Sequence, residues 1–249
     1  MDEPLPRARF LVESCPAPGE IIRLAAEELS HARARRLSVG DAVILLDGSG
    51  REAFGRFIEL SPSGGRVAVE RVVSSSDGGP VIDLLVSGLK LERLSWIAEK
   101  ATELGVSRLV LIASGRTQAH RAGHATLQRL SRVARQAAKQ SESARWPVLE
   151  GPRALADALG AITHPNRLFL DLQGAPFPER LAGPAAIGVG PEGGWTESER
   201  AAAAAAGWLP TSLPAGKLRA ETAAIAAVVL ARAAFARNGK RETENRKRG

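Results

Sequence analysis

Beyond Pro80 the chain alternates short, almost wholly apolar runs with stretches of helical periodicity, and this alternation leaves few folds open. The run "VIDLLVSGL", residues 81–89, has the near-continuous hydrophobicity of a strand buried on both faces. Leu91, Leu94, Ile97, Ala98, Ala101 and Leu104 then recur three or four residues apart, and Gly105 stands where a helix would stop. "SRLVLIA", residues 107–113, is a second buried strand. A β-α-β unit of this kind predicts an α/β fold with a mainly parallel sheet covered by helices. The alternation continues: helices are predicted near 125–141, 155–159, 197–206 and 221–237, and strands in "RLFLDL" and "AAIGVG". The alanine run Ala201–Ala206 reads as packed helix, since alanine is the best helix former.

The first third is different. "RARFLV", "DAVILLDG", "AFGRFIEL" and "RVAVERVV" are short strand candidates separated by the turn signals Asp47–Gly50 and Ser61–Gly65, with one helix near 25–36. Strands so closely spaced suggest a small β-barrel. Ser74–Pro80 reads as a linker. The expected organisation is a barrel domain over 1–74, an α/β domain over 80–238, and a solvated basic tail over 239–249.

Composition narrows the function. With 44% hydrophobic residues the chain should be globular, and with 4% aromatics and no Tyr its core must come from Ala, Val, Leu and Ile. The single cysteine, Cys15, excludes an internal disulfide or a cysteine-cluster zinc site. His120 and His124 are four residues apart but have no third ligand beside them, so no metal is expected. The opening residues lack the apolar run of a secretory leader, and no apolar stretch reaches membrane-spanning length; a cytosolic protein with no membrane partner is expected. The formal charge of +7 weakly favours a polyanionic partner such as nucleic acid.

Two segments should carry the chemistry. Gly188–Glu199 ends a strand in a loop rich in glycine, then opens a helix with Thr196 and Glu199 at capping-box spacing. Gly190, Gly193 and Gly194 allow close approach of a ligand to the backbone, or positive φ; an ordinary tight turn would use them as well. Neither the phosphate loop nor the dinucleotide fingerprint is matched. Leu213–Ala223 is again a loop entering a helix, with Arg219 just before it and Glu221 in its first turn. A charged pair at the mouth of a helix that is apolar from Ala223 to Leu230 marks a site more than a surface ion pair.

Together, "GVGPEGGWTESE" and "LPAGKLRAETA" resemble the paired signature of the bacterial 16S ribosomal RNA uracil-N3 methyltransferase family, within the SPOUT class of knotted methyltransferases. "HARARRLSVGDAVILLDGSG" resembles that family's N-terminal PUA-like RNA-binding barrel, and "EKATELGVSRLVLIASGR" and "RQAAKQS…WP" resemble its central motifs. The resemblance covers nearly the whole chain. It implies a C-terminal α/β trefoil-knot domain, S-adenosyl-L-methionine as cofactor, 16S ribosomal RNA of the small subunit as partner, and a homodimer. It places the cofactor among three loops: Leu172, Gln173 and Gly174; Gly190, Pro191, Glu192, Gly193 and Gly194; and Leu213, Pro214 and Leu218. The chain departs from the family pattern at Pro214, Gly216 and Ser143, which bears on the RNA target and the catalytic rate more than on cofactor binding.

The mechanism this implies turns on uracil N3, a weak nucleophile until its proton is lost. Arg219 would stabilise the negative charge that then spreads onto O2 and O4, while Glu221 either orients Arg219 or accepts the proton. RNA phosphates would meet Arg129, Arg132, Arg135 and Lys139, a stripe on one helix face, with Arg116 nearby and Arg33, Arg35 and Arg36 in the barrel. A solvated helix face has the same pattern. Two other readings stay open: a related SPOUT methyltransferase acting on another RNA, and a catalytically silent RNA-binding assembly factor.

Overall fold

The computed structural model describes residues 6–61, 63–75, 79–115 and 123–246, with side chains as far as residue 238. The chain divides into two compact units, Met1–Gly78 with Ala138–Trp146, and Gly79–Ala137 with Pro147–Gly249.

In the first unit, β1 (Ala8–Leu11), β2 (Ile21–Arg23), β3 (Ala42–Leu46), β4 (Arg51–Leu60) and β5 (Gly65–Ser74) form one sheet in the order β1-β3-β4-β5-β2, with α1 (Ala26–Ala34) beside it. The strands β3, β4 and β5 form an antiparallel meander, while β1 runs parallel to β3. Ala53, Gly55 and Phe57 are buried at the two-residue period of a half-buried strand. Phe57 meets Phe10 edge to face, centroids 5.6 Å apart, over a floor of Leu45 and Val67. The segment Ala138–Trp146 completes this unit, placing Ala144 against Ile44 and Leu46.

The second unit is a six-stranded, wholly parallel sheet. Its strands are β6 (Ile82–Ser87), β7 (Arg108–Ala113), β8 (Val148–Ala154), β9 (Asn166–Pro176), β10 (Ala185–Val189) and β11 (Leu209–Ser212), in the order β11-β9-β10-β6-β7-β8. The helices are α2 (Leu91–Glu103), α3 (His124–Gln140), α4 (Leu155–Gly160), α5 (Glu197–Ala205) and α6 (Ala220–Arg246). Both faces of the sheet are covered, so every residue of β6 is buried. Leu84 and Val86 face α2 and α6; Leu85 between them packs with Val110 and Phe169 against α4, Trp195 and Trp208. Alanines at positions 220, 224, 227, 231 and 234 keep the buried side of α6 thin. This helix runs to Arg246, nine residues past the predicted end at 237. Arg, Lys and Glu in the extension are good helix formers and need no apolar face.

The strand β11 and the second half of β9, from Gln173 to Pro176, were not expected. No helix among the described residues is long and apolar enough to cross a membrane.

Candidate functional site

The carboxyl ends of β9, β10 and β11 enclose a cavity of about 330 Å³. Open parallel sheets bind ligands at this end, where the connecting loops diverge. Its wall comes from Leu170–Gln173 of β9, from Val189–Trp195 after β10, and from Leu213, Ala215, Gly216, Lys217 and Leu218 before α6; Arg200, Thr211, Ala220 and Ala223 complete it.

Of the expected cofactor residues, Leu172, Gln173, Gly190, Pro191, Glu192, Gly193, Gly194, Leu213 and Leu218 line this cavity. Gly174 and Pro214 do not line it. A Cβ on Gly174 would stand 2.3 Å from the Thr211 nitrogen, so this glycine lets the β9 and β11 backbones touch. Pro214 is exposed.

The glycine-rich loop is pinned from beneath. Trp195 stacks on Phe169, centroids 4.2 Å apart, and its Nε1 donates to the Leu170 carbonyl at 2.9 Å. A Cβ on Gly190 would lie 2.8 Å from the Trp195 ring, so Gly190 makes room for this indole as well as bordering the cavity. Gly194 has φ +71° and open space where a Cβ would be, the backbone form glycine tolerates best. The capping box is present: Thr196 Oγ1 accepts from the Glu199 N–H at 3.2 Å, and Glu199 Oε2 accepts from the Thr196 N–H at 2.7 Å. The second oxygen of Glu199 accepts from the Gly115 N–H at 2.8 Å, tying α5 to the end of β7.

Sequence reasoning missed an ion pair in the wall. Arg200 Nε donates to Asp171 Oδ2 at 2.6 Å, and the Gln173 N–H donates to Asp171 Oδ1 at 3.0 Å. Burial alone would raise the Asp171 pKa, but these two donors outweigh it and hold the carboxyl below its ordinary value. The signal was present: Asp171 is the one charge within the apolar run "LFLDL".

The two expected catalytic residues flank the cavity wall without lining it. Arg219, between wall residues Leu218 and Ala220, is exposed, and its side chain has no hydrogen bond or ion pair among the described residues. Glu221 is not paired with it. Its Oε1 lies 3.6 Å from Nε of Arg93, in the first turn of α2, and its Oε2 is buried with no hydrogen-bond partner among the described residues. The same Arg93 forms an ion pair with Glu192 of the glycine-rich loop.

Among the residues expected to meet RNA, Arg129, Arg132 and Arg135 lie exposed on α3, and Arg33, Arg35 and Arg36 lie exposed after and within α1. Arg35 reaches the Arg7 carbonyl at 3.2 Å. Lys139 does not extend the stripe: it is buried in the first unit, its Nζ 2.9 Å from Glu28 Oε2, with both side chains 8% exposed. The buried carboxylate has captured the ammonium, which is therefore closed to a phosphate. Arg116 and His120 lie outside the described residues. At the departure Ser143, the hydroxyl donates to the Arg145 carbonyl at 2.8 Å, and Arg145 in turn donates to the Ser49 carbonyl at 2.8 Å. No group of three or more His, Cys, Asp or Glu side chains among the described residues is placed to hold a metal.

Residues 78–232 match the family described as RNA methyltransferase domain, and residues 24–70 match the RNA methyltransferase PUA domain. Ribosomal RNA small subunit methyltransferase E of Mycobacterium bovis is 30% identical over 237 residues, covering 88% of each chain. The protein of the same name from Synechocystis is 29% identical over 222 residues, 83% of this chain and 72% of that one. Among solved structures, the Neisseria gonorrhoeae ribosomal RNA small subunit methyltransferase E, bound to S-adenosyl methionine, superposes with a TM-score of 0.80 at 25% identity over 89% of this chain and 95% of its own. A probable rRNA-methyltransferase from Porphyromonas gingivalis gives 0.79 at 28% identity over the same shares. The α/β fold, the cavity at the carboxyl ends of its strands and these likenesses agree: the chain belongs to the RNA methyltransferase family, with a PUA domain ahead of the methyltransferase domain.

Proposed function

We propose that the protein is a cytosolic, homodimeric, knotted enzyme that methylates uracil N3 in 16S ribosomal RNA of the small ribosomal subunit, using S-adenosylmethionine. The observation that carries this reading is the placement of the exposed Arg219, unpaired among the described residues, beside the wall of a cavity built from the glycine-rich loop and the loop before α6. The Neisseria relative binds S-adenosyl methionine, and the cavity here fits such a molecule. Its volume of about 330 Å³ is that of a small-ligand site, its walls mix Leu170, Val189, Leu213 and Leu218 with backbone, and Gly194 and Gly216 leave open space where a Cβ would be. Backbone groups of Leu172, Gly193, Gly194 and Leu218 would hold the adenine. Bound there, S-adenosylmethionine supplies an electrophilic methyl group on a sulfonium.

The chain's own residues manage the acceptor. Uracil N3 lies on the Watson–Crick edge, so the target base must be unpaired or flipped out. The Arg219 guanidinium stabilises the charge that develops on O2 and O4 as N3 loses its proton. Glu221, whose Oε2 has no hydrogen-bond partner among the described residues, takes that proton. Arg129 and Arg132 on α3, with Arg33, Arg35 and Arg36, neutralise phosphates and set the position of the RNA.

The test is transfer of labelled methyl groups from S-adenosylmethionine to small ribosomal subunits taken from cells lacking this gene, followed by nucleoside analysis. Label in N3-methyluridine is expected; label in another nucleoside, or none, overturns the reading. Arg219→Ala should abolish transfer while cofactor affinity, measured by calorimetry, survives. Full activity of that variant removes Arg219 from its role.

A further inference from the structure

We propose that Arg93 is a positioning residue that couples the cofactor loop to the proton acceptor. The inference rests on the reading of Glu221 given above. Arg93 lies in the first turn of α2, where the partial positive charge of a helix N-terminus disfavours a cation. Two carboxylates offset that cost: Glu192, which lines the cavity, and Glu221, in the first turn of α6. The guanidinium is 29% exposed and Glu221 14% exposed, so the pair on the α6 side is partly shielded from water. The planar fork of arginine donates in several directions at once and can hold both acids without changing rotamer. The helix α2 is a firm base, since the neighbouring Leu94 and Ile97 are buried in the core.

Without Arg93, Glu192 and Glu221 would face each other's charge uncompensated. The glycine-rich loop would lose its tether, and Glu221 would lose the contact that fixes its Oε1. One guanidinium thus sets cofactor affinity through Glu192 and the chemical step through Glu221. Arg93 itself does not line the cavity.

The experiment uses the full chain and the variants Arg93→Gln, Arg93→Lys, Glu192→Gln and Glu221→Gln, with melting temperatures confirming that each is folded. Calorimetry reads S-adenosylmethionine affinity, and labelled transfer to small subunits reads kcat and the KM for RNA. Arg93→Gln should weaken cofactor binding by roughly twofold to fivefold, since Glu192 is 56% exposed, and lower kcat by roughly fivefold to tenfold through the better shielded Glu221, with the KM for RNA unmoved. Glu192→Gln should reproduce the affinity loss, and Glu221→Gln, which removes the acceptor itself, should lower kcat further, by roughly a hundredfold or more. Arg93→Gln combined with Glu192→Gln should cost no more cofactor affinity than either alone, and Arg93→Lys should restore part of both losses. Additive losses in the combined variant, no rescue by lysine, or wild-type affinity and kcat in Arg93→Gln would overturn the coupling. Calorimetry needs no RNA, so a wild-type protein that binds cofactor but leaves uracil N3 unmethylated would sink the functional reading while the Glu192 arm is still measured.

Discussion

Gly174 is the position where the geometry makes the sharpest demand. A Cβ there would stand 2.3 Å from the Thr211 nitrogen, 2.4 Å from the Pro210 carbonyl carbon and 2.7 Å from the Pro210 oxygen, all backbone atoms of β11. No rotamer change can relieve this. For Gly174→Ala, β9 and β11 must part by about 1 Å to bring the nearest contact from 2.3 Å to the 3.4 Å of ordinary packing. Overpacking of this kind costs about 1–3 kcal/mol. The ladder is already irregular between Pro210 and Thr211, and weakening one more backbone hydrogen bond there adds about 1 kcal/mol. A total of about 2–4 kcal/mol corresponds to a melting-temperature loss of about 4–16 °C for a chain of this size. The separation also moves function, because Leu170–Gln173 on one strand and Thr211 on the other both line the cavity. A displacement of about 1 Å at a binding wall can cost as much as a hundredfold in function, so cofactor affinity should fall at least tenfold. Thermal unfolding and calorimetry with S-adenosylmethionine measure the two effects separately. A variant that melts within a degree of wild type and binds cofactor as tightly would refute the argument that this glycine exists to let two backbones touch.

Three further outcomes follow from buried contacts. Lys139→Met leaves Glu28 as an uncompensated buried charge and should destabilise by about 3–5 kcal/mol in urea unfolding, while adding Glu28→Gln recovers most of the loss; a single variant as stable as wild type would show the pair to be solvated. Asp171 has a folded pKa below its ordinary value, so its stabilising effect is complete above about pH 5, using the usual carboxylate pKa near 3.9 for the unfolded chain, and fades as pH falls through the lower folded value. Asp171→Asn should therefore be less stable than wild type at pH 7, with the gap closing towards pH 2 in pH-dependent unfolding; a gap that is constant with pH would contradict this sign. Glu199→Ala removes the acceptor for both Thr196 N–H and Gly115 N–H, and should cost about 1–3 kcal/mol in thermal unfolding; an unchanged melting temperature would show that water replaces it freely.

Much of the site was legible because it is written locally. The glycine-rich loop, the loop before α6 and the capping box Thr196–Glu199 are contiguous segments whose residue types state their backbone needs, and the structure brings both loops to one cavity. What stayed hidden were the partners. Arg93, Glu192 and Glu221 come from three distant stretches of chain, and nothing in the spacing around any one of them names the other two. Gly174 and Pro214 show the same limit: adjacency to a functional segment does not say whether a residue faces the ligand, a neighbouring strand or solvent. The stripe on α3 was periodic as read, yet its fourth member is occupied by Glu28, more than a hundred residues away.

The order of hydrophobic runs by itself determined the class of fold, since strands apolar on both faces and joined by amphipathic helices can be satisfied only by a covered parallel sheet. It determined as well which loops end those strands, and hence where a ligand could bind. The tertiary structure alone decided that β10 lies between β9 and β6, that Ala138–Trp146 joins the first unit, and which charged side chains are matched. Periodicity records the direction a side chain takes from its own backbone. Strand order and ion pairing depend on which distant surface arrives opposite it, and that is settled only when the whole chain packs.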